Sequence, residues 1–165
     1  MRIVNIDLGD RSYKILIQYG LLNKFENILF EFNQFKKLLI ISQSPIYNLY
    51  GDLFELGKEN LFIEPILISN HESAKSLEEV NNIYGEMIKR NCDRSTLLIG
   101  LGGGVVGDVT GYLAATYMRG LSYINIPTTL LSMVDSSIGG KTGVNLKEGK
   151  NLVGAIWQPK MVLSD

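Results

Sequence analysis

Hydrophobic and polar positions change period along the chain. Arg2 to Leu8 and Ser12 to Tyr19 alternate apolar and polar residues around Gly9-Asp10, the pattern of an antiparallel hairpin. Helical spacing follows from Leu21 to Phe32, a short apolar strand from Leu38 to Ser42, a second helical stretch from Pro45 to Leu56 and a strand from Ile66 to Ser69. Between Ser76 and Asn91 the apolar residues Leu77, Val80, Ile83, Tyr84, Met87 and Ile88 recur at helical spacing, ahead of a strand from Thr96 to Leu101. An apolar helix through Val109, Leu113 and Tyr117 and a strand from Tyr123 to Ile126 complete the alternation. Strands alternating with helices predict parallel βαβ units, hence an α/β layered domain with a mainly parallel sheet behind an N-terminal hairpin. Met161 to Ser164 reads as one more strand, and nothing after it could cover it. Residues 1–165 are therefore expected to form one domain cut from a longer protein.

At 165 residues and 45% hydrophobic, the chain can bury one core of ordinary size. A formal net charge of −1 provides no whole-surface attraction to nucleic acid or to anionic membrane, so any anion site must be local. One cysteine, Cys92, excludes an intrachain disulfide, and with the single histidine His71 it supplies too few ligands for a structural zinc site. Arg2, Asp7, Asp10 and Arg11 interrupt the start where a signal peptide needs an apolar run, and no window is long enough to span a membrane. These features predict a soluble, cytoplasmic protein.

Candidate chemistry concentrates between Pro127 and Asn151, PTTLLSMVDSSIGGKTGVNLKEGKN. Three threonines, several serines, an aspartate, a glycine pair and lysines at 141, 147 and 150 predict irregular backbone outside the core, holding an anion or a phosphorylated small molecule. Upstream, Gly102, Gly104 and Gly107 match G-x-G-x-x-G between a strand and a helix, where bare backbone lets a pyrophosphate reach the N–H groups of the helix start. The acid expected about 20 residues later to bind a ribose is missing, so tight packing of helix on sheet stands as the alternative explanation of these glycines. Gly140-Lys141-Thr142 ends like a phosphate-binding P-loop, but Asp135 occupies its first-glycine position and would repel phosphates.

GGGVVGD at Gly102 to Asp108, YMRG at Tyr117 to Gly120, IPTTLLSMVDSSIGGKTGVN at Ile126 to Asn145 and GKNLVGA at Gly149 to Ala155 together resemble the 3-dehydroquinate synthase family, over about its first half. The resemblance implies a Rossmann-like domain of a homodimeric enzyme that turns DAHP, a seven-carbon keto acid phosphate, into 3-dehydroquinate and phosphate. It implies catalytic NAD and a zinc or cobalt ion whose ligands lie in a helical second domain beyond this chain. No metal ligand is therefore assigned here. The family's dinucleotide turn falls on Gly103, Gly104, Val105, Val106, Gly107 and Asp108, with further cofactor contacts at Glu72, Lys75, Thr128, Thr129, Leu131, Asp135 and Ser136. Lys141 resembles the lysine standing between cofactor and substrate phosphate, and Lys150 and Asn151 the pair that contact cofactor and substrate. Arg119 resembles an arginine that reaches the phosphate in the neighbouring subunit, where a planar fork suits the anion better than a lysine. Local roles stand beside these assignments, with Asp108, Thr128 and Thr129 as cap or turn groups and Lys150 as a solvated charge.

Three departures from the family pattern are visible. His71 replaces a glycine ahead of Glu72, Gln43 takes the place of an aspartate at the end of an earlier strand, and Ile156-Trp157 replaces an aromatic pair. A related sugar-phosphate cyclase, a metal-dependent polyol dehydrogenase and a non-catalytic NAD-binding module are the competing readings.

Overall fold

The computed structural model describes residues 1–55 and 61–165. The opening hairpin forms as its alternation predicts, with β1 (Arg2–Ile6) antiparallel to β2 (Tyr13–Ile17) and Val4 opposite Ile15. The helix expected from Leu21 to Phe32 is instead a 3₁₀ turn at Leu22–Lys24, a short α1 (Phe25–Leu29) and a second 3₁₀ turn at Phe30–Phe32. Leu22, Phe25 and Ile28, then Leu29 and Phe32, recur every third residue, a spacing that a 3₁₀ turn stacks on one side. All five are buried.

Strand β3 (Lys37–Gln43) leads into α2 (Ser44–Tyr50) and α3 (Asp52–Glu55), so the single helix expected from Pro45 divides at Gly51. Leu56, its expected last residue, lies outside the described residues. Strand β4 (Phe62–Ile68) starts four residues before the expected Ile66. Pro65 hides that start in the sequence, because it cannot donate to a ladder and is tolerated only at an edge or a bulge. Strand β4 is an edge strand, and its register on β3 shifts between Leu39 and Ile41. Helix α4 (Leu77–Lys89) is capped by Ser76, the Glu79 N–H donating to Ser76 Oγ at 3.1 Å.

Then come β5 (Thr96–Gly102), α5 (Gly104–Thr116), β6 (Ser122–Pro127), a π-helical turn at Ser132–Ser136, the hairpin β7 (Lys141–Leu146) and β8 (Gly149–Ile156), and β9 (Met161–Ser164). Seven strands make one sheet in the order β1-β2-β9-β6-β5-β3-β4, parallel at every pair except β1–β2. Successive side chains point to opposite faces. Leu38, Ile40, Leu97, Ile99 and Leu101 meet the segment from Leu21 to Phe32 and Phe54 of α3 on one side, and Leu39, Ile41 and Leu98 meet α4 and α5 on the other. Apolar runs in β3 and β5 thus have the composition of strands covered on both faces. Each such side chain contributes roughly 1.5–3 kcal/mol on full burial.

The segment from Pro127 to Asn151 departs from the expected irregular, non-core backbone. Glycines at 139 and 140, with φ of 87° and 67°, turn the chain into β7, and Val144 is fully buried against α5. Gly111 of α5 makes room for that hairpin, since a Cβ there would stand 2.3 Å from Thr142 Cγ2. Polar composition concealed this layer because only alternate residues of β7, Thr142 and Val144, face α5.

Candidate functional site

From β3 the chain crosses to β4 at one edge, then returns to place β5 on the other side of β3. The carboxyl ends of β3 and β5 therefore flank a point where strand order reverses, the place in an open α/β sheet where a crevice forms. The glycine turn sits there. Gly102 ends β5, Gly103 is the N-cap and Gly104 opens α5, while the Thr128 N–H donates to the Gly102 carbonyl at 3.0 Å and ties the exit of β6 to the turn.

The glycines divide by role. A Cβ at Gly102 would lie 2.5 Å from Val106 Cγ2 and one at Gly107 3.0 Å from Asn125 Nδ2, so both serve the packing of α5 on the sheet. Val106 itself is fully buried. Gly103 and Gly104 face outward, where a Cβ would stand 3.4 Å from Thr129 Cγ2 and 3.1 Å from Ser136 Oγ. They floor a cradle walled by Thr129 and Ser136, at the start of a helix whose first N–H groups have no intrahelical acceptor. Beside it Thr128 Oγ1 is buried without a hydrogen-bond partner. Thr129 and Ser132 instead bond one another, with the Thr129 N–H donating to Ser132 Oγ at 3.1 Å and the Ser132 N–H to Thr129 Oγ1 at 3.2 Å. Leu131 points to solvent.

A polar knot lies behind the turn. Lys75 is only 4% exposed, yet its Nζ donates to Asp108 Oδ2 and to Asn151 Oδ1, both at 2.6 Å, and lies 3.7 Å from Glu72 Oε1. Asn145 closes the circuit, its amide donating to Glu72 at 3.0 Å and its carbonyl oxygen accepting from the Asn151 N–H at 2.9 Å. Asn151 is held at a φ of 55°, a conformation that short polar side chains tolerate best. Burial pushes the Asp108 carboxyl above its ordinary pKa, against the hydrogen bond and charge of Lys75. Glu72 is held below its ordinary value, chiefly by the Asn145 amide, with the charges of Lys75 and Lys150 adding. Lys150 is thus near the knot while remaining exposed.

Asp108 and Asn151 also line a cleft of about 600 Å³, together with Asp135, Ser136, Lys141 and the apolar Leu152 and Ile156. Lys141 Nζ is 3.7 Å from Asp135 Oδ1, and both side chains are more than half exposed, so this is a loose surface pair that leaves the cation available. Arg119 is not in this cleft. It lines a second one, of about 500 Å³, with Arg11, Arg94, Trp157 and Lys160. Gln43, in place of an acid at the end of β3, donates from Nε2 to the Ser69 carbonyl at 2.9 Å. Asn145 carries no independent signal in the sequence, because its place in the knot depends on β7 pairing beside Ser76. Among the described residues no group of three or more His, Cys, Asp or Glu could hold a metal ion. No described helix is long and apolar enough to cross a membrane.

A mainly parallel sheet with an open glycine cradle at its switch point defines a Rossmann-like α/β domain. Residues 65–165 match the family model described as 3-dehydroquinate synthase N-terminal, and the chain belongs to that family. It is 48% identical to a 3-dehydroquinate synthase of Prochlorococcus marinus (strain AS9601), over 99% of this chain and 46% of the relative. It is 44% identical to that of Dictyoglomus thermophilum, over 100% of this chain and 45% of the relative. The chain thus spans about half the length of the curated relatives it matches.

Among solved structures, a 2-deoxy-scyllo-inosose synthase complexed with carbaglucose-6-phosphate, NAD and cobalt superposes with a TM-score of 0.88 at 28% identity, covering 99% of this chain and 45% of that one. The 2-epi-5-epi-valiolone synthase of Streptomyces hygroscopicus subsp. jinggangensis 5008, with NAD and zinc bound, gives 0.80 at 31%, covering 100% and 45%. Glycerol dehydrogenase of Schizosaccharomyces pombe, at 17% identity and a TM-score of 0.70 over 92% of this chain and 36% of that one, shares the fold.

Proposed function

We propose that the chain is the NAD-binding half of a 3-dehydroquinate synthase, a cytoplasmic homodimer that converts DAHP into 3-dehydroquinate and phosphate. The observation that carries the reading is the convergence of Asp135, Ser136, Lys141 and Asn151 on one cleft next to the open cradle of Gly103 and Gly104. Identity of 48% to a 3-dehydroquinate synthase, against 28% and 31% to the two solved cyclases, favours this reaction over another sugar-phosphate cyclisation. A sensor of NAD alone would have no use for Lys141 and Asn151 beside the cradle.

The residues present fit NAD. The side-chain-free floor at Gly103 and Gly104 admits a pyrophosphate to the helix start, and the orphaned hydroxyl of Thr128 lacks the partner that a bound group would give it. Held there, NAD would supply reversible hydride transfer, with no net oxidation of the substrate. Lys141 holds the substrate phosphate and offsets the charge of the departing dianion. Asn151, fixed by Lys75 and Asn145, orients the substrate. Arg119, which lines a different cleft from Lys141 in its own chain, serves the phosphate site of the neighbouring protomer. The divalent metal, zinc or cobalt, is assigned to ligands in the other half of the complete protein, where it would act as a Lewis acid.

Phosphate release by the complete protein tests the proposal. DAHP with NAD and zinc or cobalt should give catalytic turnover, and glucose 6-phosphate should not. Turnover of the hexose phosphate in preference to DAHP would move the protein to another cyclase activity, and NAD binding without either turnover would leave only a binding module.

A further inference from the structure

Met118, Arg119 and Gly120 are three consecutive residues with positive φ, at 50°, 67° and 128°. For Met118 and Arg119 this is a crowded conformation that side chains other than glycine's disfavour, and something around the turn must hold it. Two backbone bonds close the turn, from the Gly120 N–H to the Tyr117 carbonyl at 3.0 Å and from the Leu121 N–H to the Ala114 carbonyl at 2.7 Å, and the side chain of Trp157, the only tryptophan in the chain, adds to them. Its indole N–H donates to the Leu121 carbonyl at 2.9 Å, and its ring lies so close over Gly120 that a Cβ there would meet Cη2 at 2.9 Å. Arg94 adds a longer bond, to the Met118 carbonyl at 3.4 Å.

The backbone of the same tryptophan is fixed from the other side. The Trp157 N–H donates to the carbonyl of Gly140, the residue before Lys141, at 2.8 Å, and the Trp157 carbonyl accepts from the Tyr123 hydroxyl at 3.0 Å. One residue therefore ties the strand that starts at Lys141 to the turn that carries Arg119. A tryptophan placed only to fill space would need neither its N–H in line with Leu121 nor its ring over the one glycine that ends the strained turn.

We infer that Trp157 is a positioning residue, which locks the Arg119 turn onto the start of β7 and sets the direction in which Arg119 is presented. The functional half of this inference rests on the phosphate role proposed for Arg119; the structural half does not. The indole supplies two holds at once, an N–H for the Leu121 carbonyl and the outer ring atoms Cη2 and Cζ2 over Gly120, and a phenyl ring supplies neither. Trp157→Phe therefore removes both.

Two measurements test it, and they fail separately. On the 165-residue chain, trypsin should cut after Arg119 about tenfold faster in Trp157→Phe than in the parent, while cleavage after Arg90 changes less than about twofold. Unchanged cleavage after Arg119, or equal acceleration at both sites, overturns the positioning role. In the complete protein, Trp157→Phe should raise KM for DAHP about tenfold with kcat and NAD affinity nearly unchanged, and should add nothing in an Arg119→Ala background. A further loss in that background shows that Trp157 does not act through Arg119 and overturns the functional half. If Arg119→Ala alone leaves KM unchanged, the phosphate role of Arg119 fails, and the trypsin result alone decides whether Trp157 holds the turn.

Discussion

Replacing Lys75 by Met would remove the cation at the centre of the polar knot while keeping most of the side-chain volume. Asp108 would lose a partner at 2.6 Å, and Asn151 a donor at the same distance. Breaking a buried ion pair by deleting one member costs roughly 3–5 kcal/mol, because the other charge is left uncompensated. Asp108 keeps 20% of its side chain exposed and can recover some hydration, which puts the expected loss at the lower end, about 3 kcal/mol. For a domain of this size that lowers Tm by about 6–12 °C. The pH dependence is the sharper test. Burial already raises the Asp108 pKa, and the hydrogen bond and charge of Lys75 are the main influences pulling it down. Without Lys75 the folded state favours the neutral acid still more strongly than the unfolded chain does. Stability that depends on such a group is lost as pH rises through the folded pKa, so the penalty should be smaller at pH 5 than at pH 8. Urea unfolding of parent and variant at both pH values measures it. A penalty below about 0.5 kcal/mol at pH 8, or a larger one at pH 5, would refute the account of Lys75 as the buried counter-charge of Asp108.

Gly103→Ala should leave the melting temperature within about 2 °C of the parent, since its Cβ meets Thr129 at an ordinary 3.4 Å, yet weaken NAD binding at least about tenfold by filling the cradle; thermal shifts with and without millimolar NAD separate the two. Gly102→Ala, by contrast, should cost about 1–3 kcal/mol in urea unfolding, because its Cβ would overlap the fully buried Val106. Lys141→Ala should unfold at the same urea concentration as the parent, its pair with Asp135 being exposed, while the complete protein loses turnover by about two orders of magnitude or more. Mixed dimers of an Arg119→Ala protomer with a Lys141→Ala protomer should regain part of the activity, which exchange followed by a phosphate-release assay would show.

Where the sequence was legible, periodicity and burial agreed. Leu38 to Ser42 and Thr96 to Leu101 announce strands because they are buried on both faces, and Ser76 marks the start of α4 because its hydroxyl is the cap. Other elements were hidden for definite reasons. Pro65 argues against a strand unless it is known that β4 lies at the edge, and edge position is a property of the whole sheet. The β7–β8 hairpin was masked by its glycines, which permit close packing on α5 as readily as they permit disorder. Of the site, the turn at Gly102 to Gly107 could be placed by its pattern, but only coordinates separate its packing glycines from the two that face outward. The Lys75–Asp108–Asn151 contacts join residues 33 and 76 positions apart, and no local pattern encodes them.

Strand β9 lies between β2 and β6, so the N-terminal hairpin joins the rest of the sheet through a strand made much later in the chain. Asp165, just after β9, fastens the same junction, accepting from the N–H groups of Gly20 and Leu22 at 2.7 and 2.9 Å. On a ribosome adding about 5–20 residues per second, the hairpin would wait roughly seven to thirty seconds for its neighbour. During that time the edges of β2 and β6 that β9 will pair are left open to other chains. The domain is thus most exposed to aggregation until β9 emerges, and the interval between the two strands sets how long that exposure lasts.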